Sequence, residues 1–312
     1  MTGQRPGAIV LLNPAAGGSR GMARWRRAED AVRGVCEPRV VESDLGGEWR
    51  FTVRQEIENG TRLFIAAGGD GTVSALADEL VRARGWIPLD EFTLGAVGLG
   101  SSNDFHKPFG PKIDGVPARI VPSDARRDLG VARYAAPDGS THTRCFVVSA
   151  SVGLVAEANA FFNGGGGAER WLRGTWTGGA ILYAALHTIA GWRNLAMRLR
   201  SGAHTERSRV TNLSVSKTAF VSGMFRYDRS VAPDDGLLAI HLCEGMSRRE
   251  ALGALGVLAR GRFQGLPKRR HWNSWRLAVA SDAPMAVELD GEVVQARRVS
   301  FGVLHEQVKL CR

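Results

Sequence analysis

Leu63-Phe64-Ile65-Ala66-Ala67-Gly68-Gly69-Asp70-Gly71-Thr72 decides the reading of the first half of the chain: an apolar run of strand length breaks into glycines set around one carboxylate. Beyond it, Val73, Leu76, Ala77, Leu80 and Val81 recur at three-and-four spacing, so a helix is expected from Val73 to Arg84. At the N-terminus of a helix the backbone N–H groups lack intrahelical partners and the dipole favours an anion. A strand, glycine turn and helix in this order therefore suit a nucleotide phosphate.

The same grammar extends in both directions. Ala8 to Leu12 reads as a strand that stops at Asn13-Pro14 and the Gly17-Gly18 segment before a helix near Ala23 to Val35. Arg39 to Glu42 reads as a strand and Glu48 to Asn59 as a helix. Phe92 to Val97 is a further strand, closed by Gly98-Leu99-Gly100-Ser101-Ser102-Asn103-Asp104-Phe105. Alternating strands and helices predict an α/β domain with a mostly parallel sheet, whose ligand lies beyond the carboxyl ends of the strands. Three loops distant in sequence should then converge. Neither GxGxxG nor GxxxxGK[ST] is present, which lowers support for a dinucleotide-binding Rossmann site and for a Walker P-loop.

Near Arg126 the texture changes to short strand-like runs: Gly130 to Tyr134, Arg144 to Ala150, Asn194 to Leu199, Val210 to Ser216, Leu237 to Cys243, Arg276 to Ala280 and Met285 to Leu289. Only two helices interrupt them, Trp176 to Trp192 and Arg248 to Arg260, the second with a capping box from Ser247 and Glu250. The expected organisation is an α/β nucleotide-binding domain over 1–125, rejoined by the tail 300–312, and a β-rich, largely antiparallel (β-sandwich) domain over 126–299.

The 312 residues are 44% hydrophobic and 23% charged, too apolar for disorder. Cysteines at 36, 145, 243 and 311 have neither CxxC spacing nor a close histidine, which argues against a disulfide scaffold or a zinc site and favours a reducing, cytoplasmic location. A net charge of +10 favours an anionic partner without naming it. No nucleic-acid-binding signature accompanies that charge, so nucleic acid is not expected as a partner. No run of eighteen apolar residues occurs, so any membrane contact is expected to be peripheral.

The side chains with chemistry sit in the turns. Asp70 is suited to a divalent metal shared with phosphates, or to capping its helix; Thr72 divides between cap and phosphate ligand. Asn13, Pro14, Gly17 and Gly18 form a common turn by themselves and gain weight beside the second loop. Asn103 and Asp104 suit a nucleotide, an acceptor hydroxyl or an Asx turn. Two acidic turns follow, Pro233-Asp234-Asp235-Gly236-Leu237 and Glu288-Leu289-Asp290-Gly291-Glu292, each readable as a hairpin or as oxygen ligands for Mg²⁺.

Taken in order, Asn13-Pro14 with Gly17-Gly18, GGDGT at 68–72, Gly100-x-x-Asn103-Asp104-Phe105, the Pro233-Asp234-Asp235-Gly236 turn and Asp290-Gly291-Glu292 make the chain resemble the soluble diacylglycerol kinase catalytic-domain family of lipid kinases. The resemblance covers almost the whole chain. It implies an ATP-dependent, Mg²⁺-requiring lipid kinase with its active site in a cleft between two domains. It further implies Asp290 as general base, Glu292 assisting, and Asp70 handling Mg²⁺ and the nucleotide. The phosphates fall to Asn13, Pro14, Gly17, Gly18, Gly68, Gly69, Gly71 and Thr72, with Asn103 and Asp104 shaping the junction with the acceptor. A separate structural Mg²⁺ site is implied at Asp234, Asp235 and Leu237.

Relatives commonly read Pro-Leu-Gly-Thr-Gly-Asn-Asp where this chain has Gly98 in place of the proline and Ser102 in place of the glycine before asparagine. A serine at that place is compatible only with a backbone outside the left-handed region. Partners implied are ATP and a lipid at an anionic membrane surface, with room for a homodimer. Arg170-Trp171-Leu172-Arg173 beside Trp176, and Lys268-Arg269-Arg270-His271-Trp272 beside Trp275, suit such a surface or a solvated basic loop. Phe161-Phe162-Asn163 with Gly164 to Gly167 reads as a lip over the lipid or a hairpin. Competing readings are a kinase of a soluble acceptor, as in NAD kinases, and a lipid- or nucleotide-binding regulator.

Overall fold

The computed structural model describes residues 5–18, 20–44, 46–164, 177–304 and 307–312. The chain divides into two units, residues 1–128 with 305–312, and residues 129–304.

In the first unit, strands β1 (Gly7–Leu12), β2 (Glu37–Glu42), β3 (Leu63–Gly68) and β4 (Thr93–Gly98) stand in the order β2-β1-β3-β4, all parallel. β1 and β3 are buried along nearly their whole length, as strands covered on both faces must be, which is why they read as unbroken apolar runs. Helices α1 (Gly21–Val35), α2 (Trp49–Glu58) and α3 (Asp70–Ala83) make the crossovers. The terminal strand Val308–Cys311 extends the sheet parallel to β4, and β5 (Val116–Arg119) and β6 (Pro122–Arg127) add antiparallel partners. Trp25, Ala28 and Val32 of α1 pack against Val10, Leu12 and Ile65, so the stripe spaced by three and four residues closes the core on that face.

The second unit is built on one antiparallel sheet of nine strands. Its main path runs β13 (Arg269–Ser274), β12 (Leu238–Glu244), β11 (His204–Ser216), β9 (Ser149–Gly153), β14 (Arg276–Leu289), β15 (Glu292–Val303), β7 (Gly130–Ala135) and β8 (Thr141–Phe146). Off this path, β10 (Leu195–Ser201) pairs with β11 and β14. Among the described residues the unit also has helices α4 (Leu154–Gly164), α5 (Thr177–Gly191) and α6 (Arg248–Ala259), and Ser247 and Glu250 form the expected capping box on α6. The four cysteines are buried and free.

Several elements differ from their sequence reading. The third helix begins at Asp70 rather than Val73, so Asp70, Gly71 and Thr72 form its first turn. The run Arg144 to Ala150 is two strands, because the N–H groups of Val147, Val148 and Ser149 turn to the Asp290 carboxylate. Arg276 to Leu289 is one strand carrying an irregularity between Ala280 and Met285. Phe161 to Gly164 end helix α4, not a hairpin; Gly165 to Gly167, Arg170 to Arg173 and Trp176 lie outside the described residues. The basic run is an ion-paired edge strand: Lys268 Nζ lies 2.7 Å from Glu250 Oε2, and Arg270 bridges Glu206 at 2.6 Å and Glu244 at 2.5 Å. Trp272 is part-buried and Trp275 is exposed.

Candidate functional site

The expected residues fall in both units: the phosphate loops in the first, and the two acidic turns in the second. In the first, the loops after β1, β3 and β4 are joined by their own polar groups. Asn13 follows β1 directly; its Oδ1 accepts the Ala15 N–H at 3.1 Å and its Nδ2 donates to Thr72 Oγ1 at 3.3 Å. Asp70 is the first helical residue and follows the cap position, which Gly69 holds without a side-chain bond. Its carboxylate reaches the third loop instead, accepting the N–H groups of Asp104 at 3.0 Å and Phe105 at 2.9 Å. Each oxygen thereby accepts one backbone N–H of the third loop. Pro14, Gly17 and Gly18 continue the first loop, both glycines at positive φ.

Two close approaches explain the glycines. A Cβ on Gly100 would lie 2.6 Å from the Gly69 Cα, so the second and third loops touch backbone to backbone. A Cβ on Gly68 would lie 2.2 Å from Thr72 Oγ1, so the strand end admits the first helical turn only without a side chain. The positive φ of the third loop falls on Asn103 (φ 49°) and not on Ser102, so the serine is accommodated without strain. Gly98 lies where a Cβ would approach the Asn103 and His106 side chains at 3.1 and 3.2 Å.

Asn103 donates to the carbonyls of Gly98 and Gly100, while its Oδ1 is buried and without a partner. A buried acceptor of this kind is satisfied by a donor from a water or a ligand. Asp104 is buried against Lys107, with Nζ and Oδ1 2.7 Å apart, so Lys107 is neither a free phosphate ligand nor solvated. Arg24, not singled out by sequence reasoning, donates to the carbonyls of Leu99 and Gly100 at 2.7 and 2.6 Å and ties α1 to the third loop. Arginines at exposed helix positions are common, and nothing local marked this one.

In the second unit, Asp290 and Gly291 are the two central residues of the β14–β15 hairpin, both at positive φ, with Leu289 paired to Glu292. The hairpin reading holds here, since Asp-Gly is the favoured pair for such a turn. The Asp290 carboxylate accepts the N–H groups of Val147 at 2.6 Å, Val148 at 3.1 Å and Ser149 at 2.7 Å. Glu292, half exposed, is ion-paired with Arg144 at 2.6 Å.

Beside this turn lies a pocket of about 650 Å³, its open mouth included, walled by Leu154, Val221, Phe225, Met246, Ala254 and Leu258. Ser149, Ser151, Asn212 and Glu288 supply its polar lining. Glu288 is 5% exposed; it accepts the Ser151 hydroxyl at 2.7 Å and the Gly291 N–H at 2.6 Å. It lies within a quoted acidic turn, yet strand alternation alone could not show that it faces a pocket.

The turn at Asp234, Asp235 and Leu237 does not fit a divalent ion. The buried Lys217 ammonium already lies among the Asp235 carboxylate and the carbonyls of Ala232 and Leu237. Asp234 is exposed. Among the described residues no group of three or more His, Cys, Asp or Glu side chains is gathered as a metal cage. Asp70 stands at the start of α3 among the loop glycines, and Mg²⁺ binds through one or two carboxylates and takes its other ligands from water and phosphates.

Comparison with known proteins agrees with this layout. Residues 7–127 match the diacylglycerol kinase catalytic domain, and residues 149–312 match the YegS C-terminal NAD kinase beta sandwich-like domain. A protein of Pseudomonas aeruginosa named "Probable lipid kinase YegS-like" is 24% identical over 297 residues, 95% of this chain and 90% of its own length. A protein of the same name from Stenotrophomonas maltophilia is 23% identical over 97% of this chain and 94% of its own. The crystal structure of a diacylglycerol kinase from Bacillus anthracis superposes with a TM-score of 0.65 at 15% identity, over 100% of this chain and 98% of that one. With both halves matched in order, the chain belongs to the diacylglycerol kinase catalytic-domain family, in the branch that carries the YegS-type C-terminal domain.

Proposed function

We propose that this chain transfers the γ-phosphoryl group of ATP to a hydroxyl of diacylglycerol or a related membrane lipid. The observation that carries the acceptor class is the apolar pocket of the second unit, whose polar lining includes Ser149, a backbone donor to Asp290, and Glu288, an acceptor from Gly291. Its walls suit an acyl chain better than a nucleotide or a sugar phosphate.

In this reading Asn13, Thr72 and the backbone of Pro14, Gly17, Gly18, Gly68, Gly69 and Gly71 hold the donor phosphates, and Asn103 Oδ1 accepts a hydrogen bond from the nucleotide. Asp70 would hold Mg²⁺, which when bound neutralises phosphate oxygens. Asp104, fixed by Lys107, shapes the end of the donor site. Asp290 receives the acceptor hydroxyl proton as the new O–P bond forms and the bond to the ADP oxygen breaks. The N–H groups of Val147, Val148 and Ser149 fix the orientation of the Asp290 carboxylate, and a carboxylate held in this way is the general base of this reading. Glu292, held by Arg144, supports the negative side of the turn. An acceptor embedded in a bilayer requires peripheral contact with the membrane, and exposed Trp275 is a suitable interfacial side chain.

Ala254→Phe tests the pocket by filling it from α6. The expected result is a KM for long-chain diacylglycerol in mixed micelles raised about tenfold, equivalent to ~1.4 kcal/mol, with the KM for ATP unchanged. An unchanged KM for the lipid in a folded variant would remove the pocket from acceptor binding.

A further inference from the structure

Lys217 follows β11 directly, and its side chain is 0% exposed. Lysine is almost never fully buried unless paired. Its Nζ donates to Leu237 O at 2.8 Å, to Ala232 O at 3.2 Å and to Asp235 Oδ1 at 3.2 Å, so three donors meet three oxygens of one loop. The loop is shaped for this: Asp235 also accepts the N–H groups of Ala232 at 2.8 Å and Leu237 at 3.0 Å. The backbone N–H of Lys217 donates to Val148 O at 2.9 Å, and the Val148 N–H donates to Asp290. The loop at 232–237 is thus connected through one residue to the segment that holds Asp290.

Two carbonyls and a carboxylate converging on a point are the ligand type of a hard divalent cation. Here that point holds an ammonium. A divalent ion on the same oxygens would sit against a buried positive charge, with strong repulsion in a medium of low dielectric. We infer that the Lys217 ammonium is the resident cation of the 232–237 loop, so that this chain keeps the loop folded without the divalent metal that its family resemblance leads one to expect there. The inference does not depend on the identity of the phosphoryl acceptor. Any Mg²⁺ requirement of turnover is then confined to the nucleotide.

The test uses the full chain without nucleotide, melted in EDTA and in millimolar Mg²⁺. The wild-type protein is expected to melt at the same temperature in both. Lys217→Ala removes the ammonium from the three loop oxygens and leaves a cavity in its place; its melting temperature in EDTA is expected to fall by on the order of 10 °C. Added Mg²⁺ should recover a large part of that loss, and Mn²⁺ titration followed by electron paramagnetic resonance should show one site that wild-type lacks. Asp235→Asn added to Lys217→Ala should abolish both gains. A wild-type protein stabilised by Mg²⁺, with the effect lost in Asp235→Asn, would overturn the assignment. So would a Lys217→Ala protein as stable in EDTA as wild-type, or one that no concentration of Mg²⁺ rescues. If Lys217→Ala fails to fold, the comparison of wild-type with Asp235→Asn still decides.

Discussion

Ser149 and Asp290 are joined in both directions: the Ser149 N–H donates to Asp290 Oδ1 at 2.7 Å, and the Asp290 N–H donates to the Ser149 carbonyl at 2.9 Å. The hairpin tip is thereby locked to the start of β9, and the left-handed conformation of Asp290 is held by three donors to its side chain. A residue proposed as a proton acceptor is also a structural tie.

Asp290→Asn is therefore expected to do two things. Asparagine keeps one carboxamide oxygen, so its NH₂ must face the N–H of Val147 or of Ser149. Turnover should fall by roughly 10² or more, and stability by about 1–3 kcal/mol from the unmatched donors. Steady-state kinetics and thermal melting on the same preparation check both. Wild-type turnover would remove Asp290 from the base role, and wild-type melting would contradict the three-donor cradle.

Gly68→Ala should weaken ATP binding about tenfold or more, because its Cβ would fall 2.2 Å from Thr72 Oγ1 and push the first turn of α3 out of place. Gly85→Ala, where nothing lies within 4 Å, is the matched control and should leave affinity unchanged. Isothermal titration with ATP measures both; equal affinities would show that the Gly68–Thr72 approach does not shape the donor site.

Two histidines predict loss of stability in acid. Burial, with help from His271, lowers His241 to about 3, and burial with Arg119 and Arg127 lowers His106 to about 3. In the unfolded chain each titrates near 6.5. Below that pH the unfolded state takes up protons that the folded state refuses, so the contribution is full above about pH 6.5. It is lost as pH falls toward 3, at up to about 1.4 kcal/mol per pH unit for each histidine. His241 stacks on Tyr227 with ring centroids 3.6 Å apart, and its Nε2 meets Arg229 O at 3.1 Å, so phenylalanine fits its surroundings at the loss of one polar contact. His241→Phe should flatten the fall in urea midpoint between pH 6.5 and 4.5 by close to one proton. An unaltered slope would mean that His241 is protonated in the folded protein.

What could be read in the sequence follows from the range of each interaction. The β3–Gly68–Asp70–α3 turn is legible because apolar runs, glycine and helical spacing are local signals, and the same holds for Asp290-Gly291 as a hairpin. The partners of those carboxylates were not legible. Asp70 meets N–H groups more than thirty residues ahead, and Asp290 meets a segment more than 140 residues behind. The run at 268–272 read as a free basic patch because its neutralising partners, Glu206, Glu244 and Glu250, come from other elements. Lys217 carried no signal, since one lysine at a strand end is ordinarily solvated. The pocket beside Glu288 arises only when α6, β9 and β12 pack.

The central claim is the transfer of phosphate from ATP to a lipid hydroxyl. It is tested most directly by incubating the full chain with γ-³²P-labelled ATP, Mg²⁺ and mixed micelles of diacylglycerol, alongside sphingoid base, NAD and sugar phosphates, and following the label between organic and aqueous phases. Label recovered in a phosphorylated lipid, and reduced to background by Asp290→Ala, is the predicted result. Label confined to NAD or a sugar phosphate would contradict it.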